Sequence, residues 1–320
     1  MQPVAGGAEL MASHGGVVGT FTVDPRSRAA KRRRRGEGAT GWAFVSPSVL
    51  LILGLSVVPV LWSLLLSFQT NDLVSPSEWV GLANYKALLK DPSFGSAVSH
   101  TLVYTVLYVP LSVIAGLAIA IALDRKIALI GLYRTLVFVP FVVSAAAQGV
   151  LFSFVLDPEF GVANSLLHKV GLPAQGFFSD PGQALYLLVA ISLWSGTGFC
   201  VIVYLAGLQG VSSDLVEAAR IDGAGRWGVL RHVTLPALTP VSIFLLLFQT
   251  INALQVFDLV FVTTKGGPLG STTVIVYFIW EKAFKTFTAG YSAAAAYTLA
   301  VALLVVGVAL QVYRRRVAAR

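Results

Sequence analysis

The sequence predicts an all-α membrane protein, a bundle of six transmembrane helices carrying a helical elbow at its cytoplasmic surface. Three observations predict it. Only 12% of the 320 residues are charged, 56% are hydrophobic, and mean hydropathy is +0.78. Soluble domains carry roughly 25% charged residues, so these charges are too few to cover a water-facing surface. Six apolar runs each approach the roughly 20 residues that a helix needs to cross a bilayer core. Finally, the basic residues gather beside those runs instead of spreading over the chain.

Residues 1–41 form the first element, read as a disordered basic tail ending in "KRRRRG". Seven basic residues lie in Arg26–Arg35, directly before the first span. The net charge of +8 would fit nucleic acid, but clusters flanking apolar spans are what orient a membrane protein. No nucleic-acid partner is therefore expected; membrane lipid is. Residues 42–320 form the membrane domain. Its spans are read at about Trp42–Phe68, Ala97–Leu123, Tyr133–Leu156, Ala184–Leu208, Leu235–Val262 and Tyr291–Val312. Pro47, Pro59, Pro110, Pro140 and Pro240 interrupt several, which membrane helices tolerate when neighbouring groups re-satisfy the backbone. Thr272–Trp280 is apolar but too short to span, and its Tyr277 and Trp280 fit an interfacial or external helix.

Counting Lys and Arg sets the orientation. With both termini inside, 17 of the 23 basic residues fall on the inner side and 6 outside. That excess predicts cytoplasmic termini in a plasma membrane. Cys200 is the single cysteine, which excludes an internal disulfide and a cysteine-rich metal site.

Loop 209–236 then lies inside, between the fourth and fifth spans. It contains "EAARIDGAGRWGVLRHVTLP", a polar island between two very apolar runs. Asp214 and Glu217 are spaced as a capping box for a short helix. Gly223 and Gly225 interrupt it, and glycine permits a sharp turn with φ > 0. Trp227, Leu230 and Val233 recur at helical spacing and predict the apolar side of a second short helix. Pro236 suits the first turn of the next one. By these residues alone the loop is either an amphipathic elbow resting on headgroups or one that serves a partner.

The spacing "EAA", three residues, "G", nine residues, "VTLP" resembles the EAA signature of permease subunits of bacterial ABC importers. Glu217, Ala218, Ala219, Gly223, Val233, Leu235 and Pro236 carry the match, with valine in place of the usual isoleucine. The segments "WVGLANYKALLKDPSF" (79–94) and "LQVFDLVFVTTKGGPLGSTTVIVYFIWEKAF" (254–284) are similar to the carbohydrate-type branch, which includes multiple-sugar and glycerol-3-phosphate permeases. The lysine of "TKGGP" departs from that branch. The resemblance implies a type I importer fold whose elbow, including Asp222, couples to a dimer of ABC ATPases. It also implies a second homologous permease and an extracytoplasmic solute-binding protein.

No catalytic role and no cofactor are expected. The chain lacks the G-x-x-x-x-G-K-[ST] phosphate loop, so ATP hydrolysis would belong to another subunit. His14, His100, His168 and His232 are scattered, and Ser195 does not fit a nucleophile elbow. Polar residues inside a membrane usually face the bundle interior. The fifth span offers Gln249, Thr250, Asn252, Gln255 and Asp258. Steps of three drift round a helix of 3.6 residues per turn, so they cannot all face one pore. Asn252 and Gln255, at mid-span, are the first choices for solute contact. Asp258 alternatively anchors the "TKGGP" turn. In the fourth span Trp194 and Thr197 could meet a sugar's apolar face and hydroxyls, and Gln148 is a lone candidate in the third. The competing role for all of these is joining helices. An ion-coupled secondary transporter is the alternative function, with Asp258 as its only intramembrane charge.

Overall fold

The structure is a computed structural model and describes residues 42–72, 76–125 and 128–318. The expected tail over 1–41 lies outside the described residues. The chain divides into residues 1–60 and 61–320. In the first unit the described residues are one helix, α1 (Trp42–Leu66), which continues across the division and includes a π-type turn over Leu53–Val57. No residue of α1 is buried.

The second unit is helical apart from a two-stranded ribbon, β1 (Gln69–Thr70) and β2 (Glu78–Trp79), paired antiparallel with Gln69 opposite Trp79. A short helix α2 (Ala83–Leu88) follows. The long spans are α3 (Pro92–Leu123) and α7 (Ala184–Gln209), then Thr239–Val262, made of α10 (Thr239–Leu254) and α11 (Asp258–Val262). The last is α13 (Ala289–Ala318), whose apolar part is Ala289–Ala309. With α1 these make five helices long and apolar enough to cross a membrane among the described residues. The expected boundaries agree to within a few residues.

The third span differs from expectation. Instead of one helix over Tyr133–Leu156, the chain forms α4 (Ile130–Val142) and α5 (Ala145–Val155), bent by 96°. Counting the pair as one span gives six. At a rise of about 1.5 Å per residue, neither piece alone reaches across a core of roughly 30 Å. The reason is local. Ser144 accepts the Ala147 N–H (3.3 Å) and starts a new helix, while the Gln148 amide donates to the carbonyls of Pro140 (3.0 Å) and Val143 (2.7 Å). Gln148 is itself 4% exposed, so its amide serves the bend.

The shorter helices are α6 (Val162–Lys169), α8 (Ser213–Ile221), α9 (Arg226–Val229) and α12 (Ile275–Phe284). The last confirms the expected non-spanning helix after the fifth span. At the start of α3, Asp91 caps with its carboxylate on the Ser93 N–H (2.8 Å) and receives the Tyr291 hydroxyl of α13 (2.8 Å). Burial pushes the Asp91 carboxyl up, but those hydrogen bonds and nearby Lys282 outweigh it and hold it below the ordinary value.

Among the described residues, two of the three apolar clusters join α3, α7 and the fifth span. One joins Tyr104 and Tyr108 of α3, Leu188 of α7, Ala253 and Val260 of the fifth span and Tyr277 of α12. The other joins Ala120 of α3, Cys200 and Tyr204 of α7 and Leu245 of α10. Gly116 of α3 lies against Cys200 of α7, where a Cβ on the glycine would clash with the cysteine's Cβ. Membrane helices lack a hydrophobic force between them and rely on such small-residue approach.

Candidate coupling elbow and translocation residues

The elbow begins with α8. Its N-cap is Ser212, without a side-chain cap bond, and Asp214 lies within the first turn. The capping box expected from Asp214 and Glu217 is therefore not formed; the N-cap falls two residues before Asp214. Leu215, Glu217, Ala218 and Ile221 are exposed, whereas Val216 and Ala219 are partly covered. Among the described residues Glu217 has no ion pair or hydrogen-bonded side-chain partner.

Gly223 ends the helix at φ +87°. The Ala224 N–H donates to the Ala219 carbonyl (2.9 Å) and the Gly223 N–H to the Arg220 carbonyl (3.1 Å). That pair of bonds is a Schellman closure, which needs a left-handed residue at this position. Asp222 is the residue before it, exposed, with its N–H on the Ala218 carbonyl (2.9 Å). A Cβ at Gly223 would meet nothing within 4 Å, so backbone conformation, not crowding, calls for glycine.

After the turn, α9 passes into a π-type turn over Leu230–Thr234 and then Leu235–Ala237, with Pro236 in the first turn of that last piece. The expected apolar side is corrected in one respect. Leu230 and Val233 are half-buried, but Trp227 is 79% exposed, and the buried residue is Val229. The π-type turn shifts the helical phase, so extrapolating an ideal 3.6 period fails here. Leu235 and Pro236 are exposed.

The fifth span sorts its polar residues into two environments. Gln249 is 2% exposed, with its amide nitrogen 3.2 Å from Cys200 Sγ and 3.5 Å from both Ser112 Oγ and the Gly196 carbonyl. It ties α10 to α3 and α7. Thr250 donates to the Leu246 carbonyl of its own helix (2.7 Å). Asn252, Gln255 and Asp258 are all exposed. The helix breaks between Leu254 and Asp258, directly after Asn252 and around Gln255. No proline or glycine lies at this break, so the sequence carried no signal for it.

Asp258 makes no hydrogen bond to the "TKGGP" turn. Thr272 holds that turn, donating to the Gly267 carbonyl (2.6 Å) and lying 2.7 Å from Thr264 Oγ1. In α7, Trp194 is 47% exposed and meets Phe152 edge-on with centroids 5.5 Å apart, while Thr197 is buried. The structure thus brings Asn252, Gln255 and Asp258 into one exposed stretch and leaves Gln249 and Thr197 inside.

A helical membrane bundle with an exposed, glycine-closed elbow between its fourth and fifth spans has the design of a transport permease. The chain belongs to the family of binding-protein-dependent transport system inner membrane components, whose profile matches residues 80–319. It is 35% identical over 282 residues to the lactose transport system permease protein LacF of Rhizobium radiobacter, covering 86% of this chain and 94% of that one. It is 31% identical over 277 residues to the sn-glycerol-3-phosphate transport system permease protein UgpA of Agrobacterium fabrum, covering 86% and 93%. Its fold matches a chain of a bacterial alginate ABC transporter in complex with an alginate pentasaccharide-bound periplasmic protein. The TM-score is 0.80 at 22% identity, over 89% of this chain and 97% of that one.

Proposed function

We propose that this chain is one of two permease subunits of an importer for a sugar or a related polyol phosphate. A dimer of ABC ATPases docks on the elbow, and an extracytoplasmic binding protein delivers the solute. The observation that carries this reading is the elbow, with Glu217 exposed beside a Schellman turn that only φ > 0 allows. A loop resting on headgroups has no need of a presented, unpaired carboxylate. The sugar assignment draws on relatives named for lactose and sn-glycerol-3-phosphate transport.

In this reading both termini lie in the cytoplasm, which the basic-residue excess supports. A reporter fused after Gly171 is expected outside and one after Ser213 inside. Finding both on one side of the membrane would refute the arrangement.

Solute contact is assigned to Asn252 and Gln255, with Asp258 and Trp194 at its margins. Their amides are exposed at a break in the span, where unwound backbone adds further polar groups. Asn252→Ala and Gln255→Ala are each expected to lower uptake of radiolabelled sugar by about tenfold, the scale of one lost hydrogen bond left unmatched. Membrane level and ATPase capture should stay unchanged. Loss of assembly in both would instead make these residues helix-joining contacts like Gln249.

A further inference from the structure

Between the elbow and the ends of two spans lies a cavity of about 400 Å³. Arg125, Arg220 and Arg226 line it, together with Asp124, Trp227 and Leu208. Asp124 and Arg125 follow the last residue of α3, and Leu208 is in the last turn of α7. The cavity therefore sits at the ends of two spans, where headgroups are expected. Among the described residues none of its three guanidinium groups has an ion pair or hydrogen bond. With one acid among three bases, the lining keeps an excess of two positive charges. Guanidinium is planar and matches phosphate in a two-bond geometry. Trp227, exposed beside them, is the side chain that membrane interfaces favour.

A second observation points to a lipid. An apolar groove of about 390 Å³ runs between α4 and α7, lined by Phe138, Ile202, Leu205 and Gln209. Leu205 and Gln209 flank Leu208 on the last turns of α7. Arg134 of this groove donates to the Leu123 carbonyl (3.0 Å), next to Asp124. An apolar slot and a cationic cavity thus share the foot of one helix.

We propose that the arginine cavity binds the phosphate of an anionic membrane phospholipid, with an acyl chain along the groove. That this occurs in the cytoplasmic leaflet rests on the orientation proposed above. The lipid lies against the same elbow that meets the ATPase, so headgroup charge would bear on coupling.

The test is native mass spectrometry of the full-length protein in detergent, titrated with phosphatidylglycerol or phosphatidylcholine. Wild type should retain phosphatidylglycerol and not phosphatidylcholine. Arg220→Gln/Arg226→Gln should weaken retention by about thirtyfold, from two basic contacts near a surface. Arg220→Lys/Arg226→Lys should keep most of it, and Arg231→Gln, on the elbow outside the cavity, should keep all of it. All these side chains are exposed, so folding is expected to survive, and Arg125→Gln alone gives an independent reading. Undiminished retention in the glutamine variants would overturn the site. Displacement of the lipid by excess inorganic phosphate would make it a site for a free anion. Lost ATPase capture with unaltered lipid retention would assign the arginines to the partner protein. A reporter after Ser213 appearing outside would defeat the orientation alone, because retention in micelles does not depend on leaflet.

Discussion

Glu217→Lys is expected to abolish capture of the ATPase while leaving the permease inserted and folded. Glu217 is exposed and packs against nothing that a lysine would disturb. What it loses is complementarity to a cationic or amide-rich groove on the partner. Like charges brought together at an interface cost several kcal/mol, which lowers affinity on the order of a hundredfold. Gly223→Val attacks the same docking by a different route. At φ +87° any residue with a Cβ is strained, by roughly 1–2 kcal/mol in the left-handed region. Nothing crowds the new side chain, so the backbone must leave its closure and α8 loses its direction. Gly223→Asn should be far milder, because asparagine visits that region readily. The measurement is pull-down of the ATPase and solute-stimulated hydrolysis at matched membrane expression. Undiminished capture and uptake in both Glu217→Lys and Gly223→Val would sink the coupling reading and leave a loop resting on lipid.

The second large effect is expected in the bundle interior. Gly→Ala in the middle of a helix usually stabilises it, by up to about 1 kcal/mol. At Gly116 the sign should reverse. The added methyl would clash with the Cys200 Cβ, with the Cys200 carbonyl carbon 3.3 Å and Cα 3.4 Å away. Neither is the end of a flexible side chain, so α3 and α7 must part. Overpacking of this kind costs about 1–3 kcal/mol, and Gly116→Val should cost more. Cys200→Gly, combined with Gly116→Ala, removes the Cβ that the new methyl meets and should restore part of the loss. It also removes the sulfur next to Gln249, so restoration should stop short of wild type. Thermal unfolding in detergent reads all three variants. A Gly116→Ala protein at least as stable as wild type would refute the close approach.

Much of the architecture was legible because lipid solvent leaves a simple code. Long apolar runs and flanking arginines gave the spans to within a few residues, and the elbow's glycine spacing gave its turn. Two breaks were not legible for different reasons. The third span carried its signal, Ser144 followed by a run of alanines after Pro140, but a proline in a membrane helix does not say whether the chain kinks or starts afresh. The fifth span carried none, since Gln255, Val256 and Phe257 all enter helices readily. The site was split in the same way. Periodicity alone could show that Gln249 and Asn252 do not share a face, and only packing could show which of them lies inside. Trp227 misled because a periodic apolar position was taken for a covered one.

Gln148 gives the bend in the third span an unusual autonomy. Broken backbone in a membrane ordinarily depends on neighbouring helices or water for its freed carbonyls. Here one amide, that of Gln148, reaches back eight residues to the Pro140 carbonyl and five to the Val143 carbonyl. The carbonyls freed at the corner are therefore met within a stretch of nine residues, 140–148, by a side chain of that same stretch.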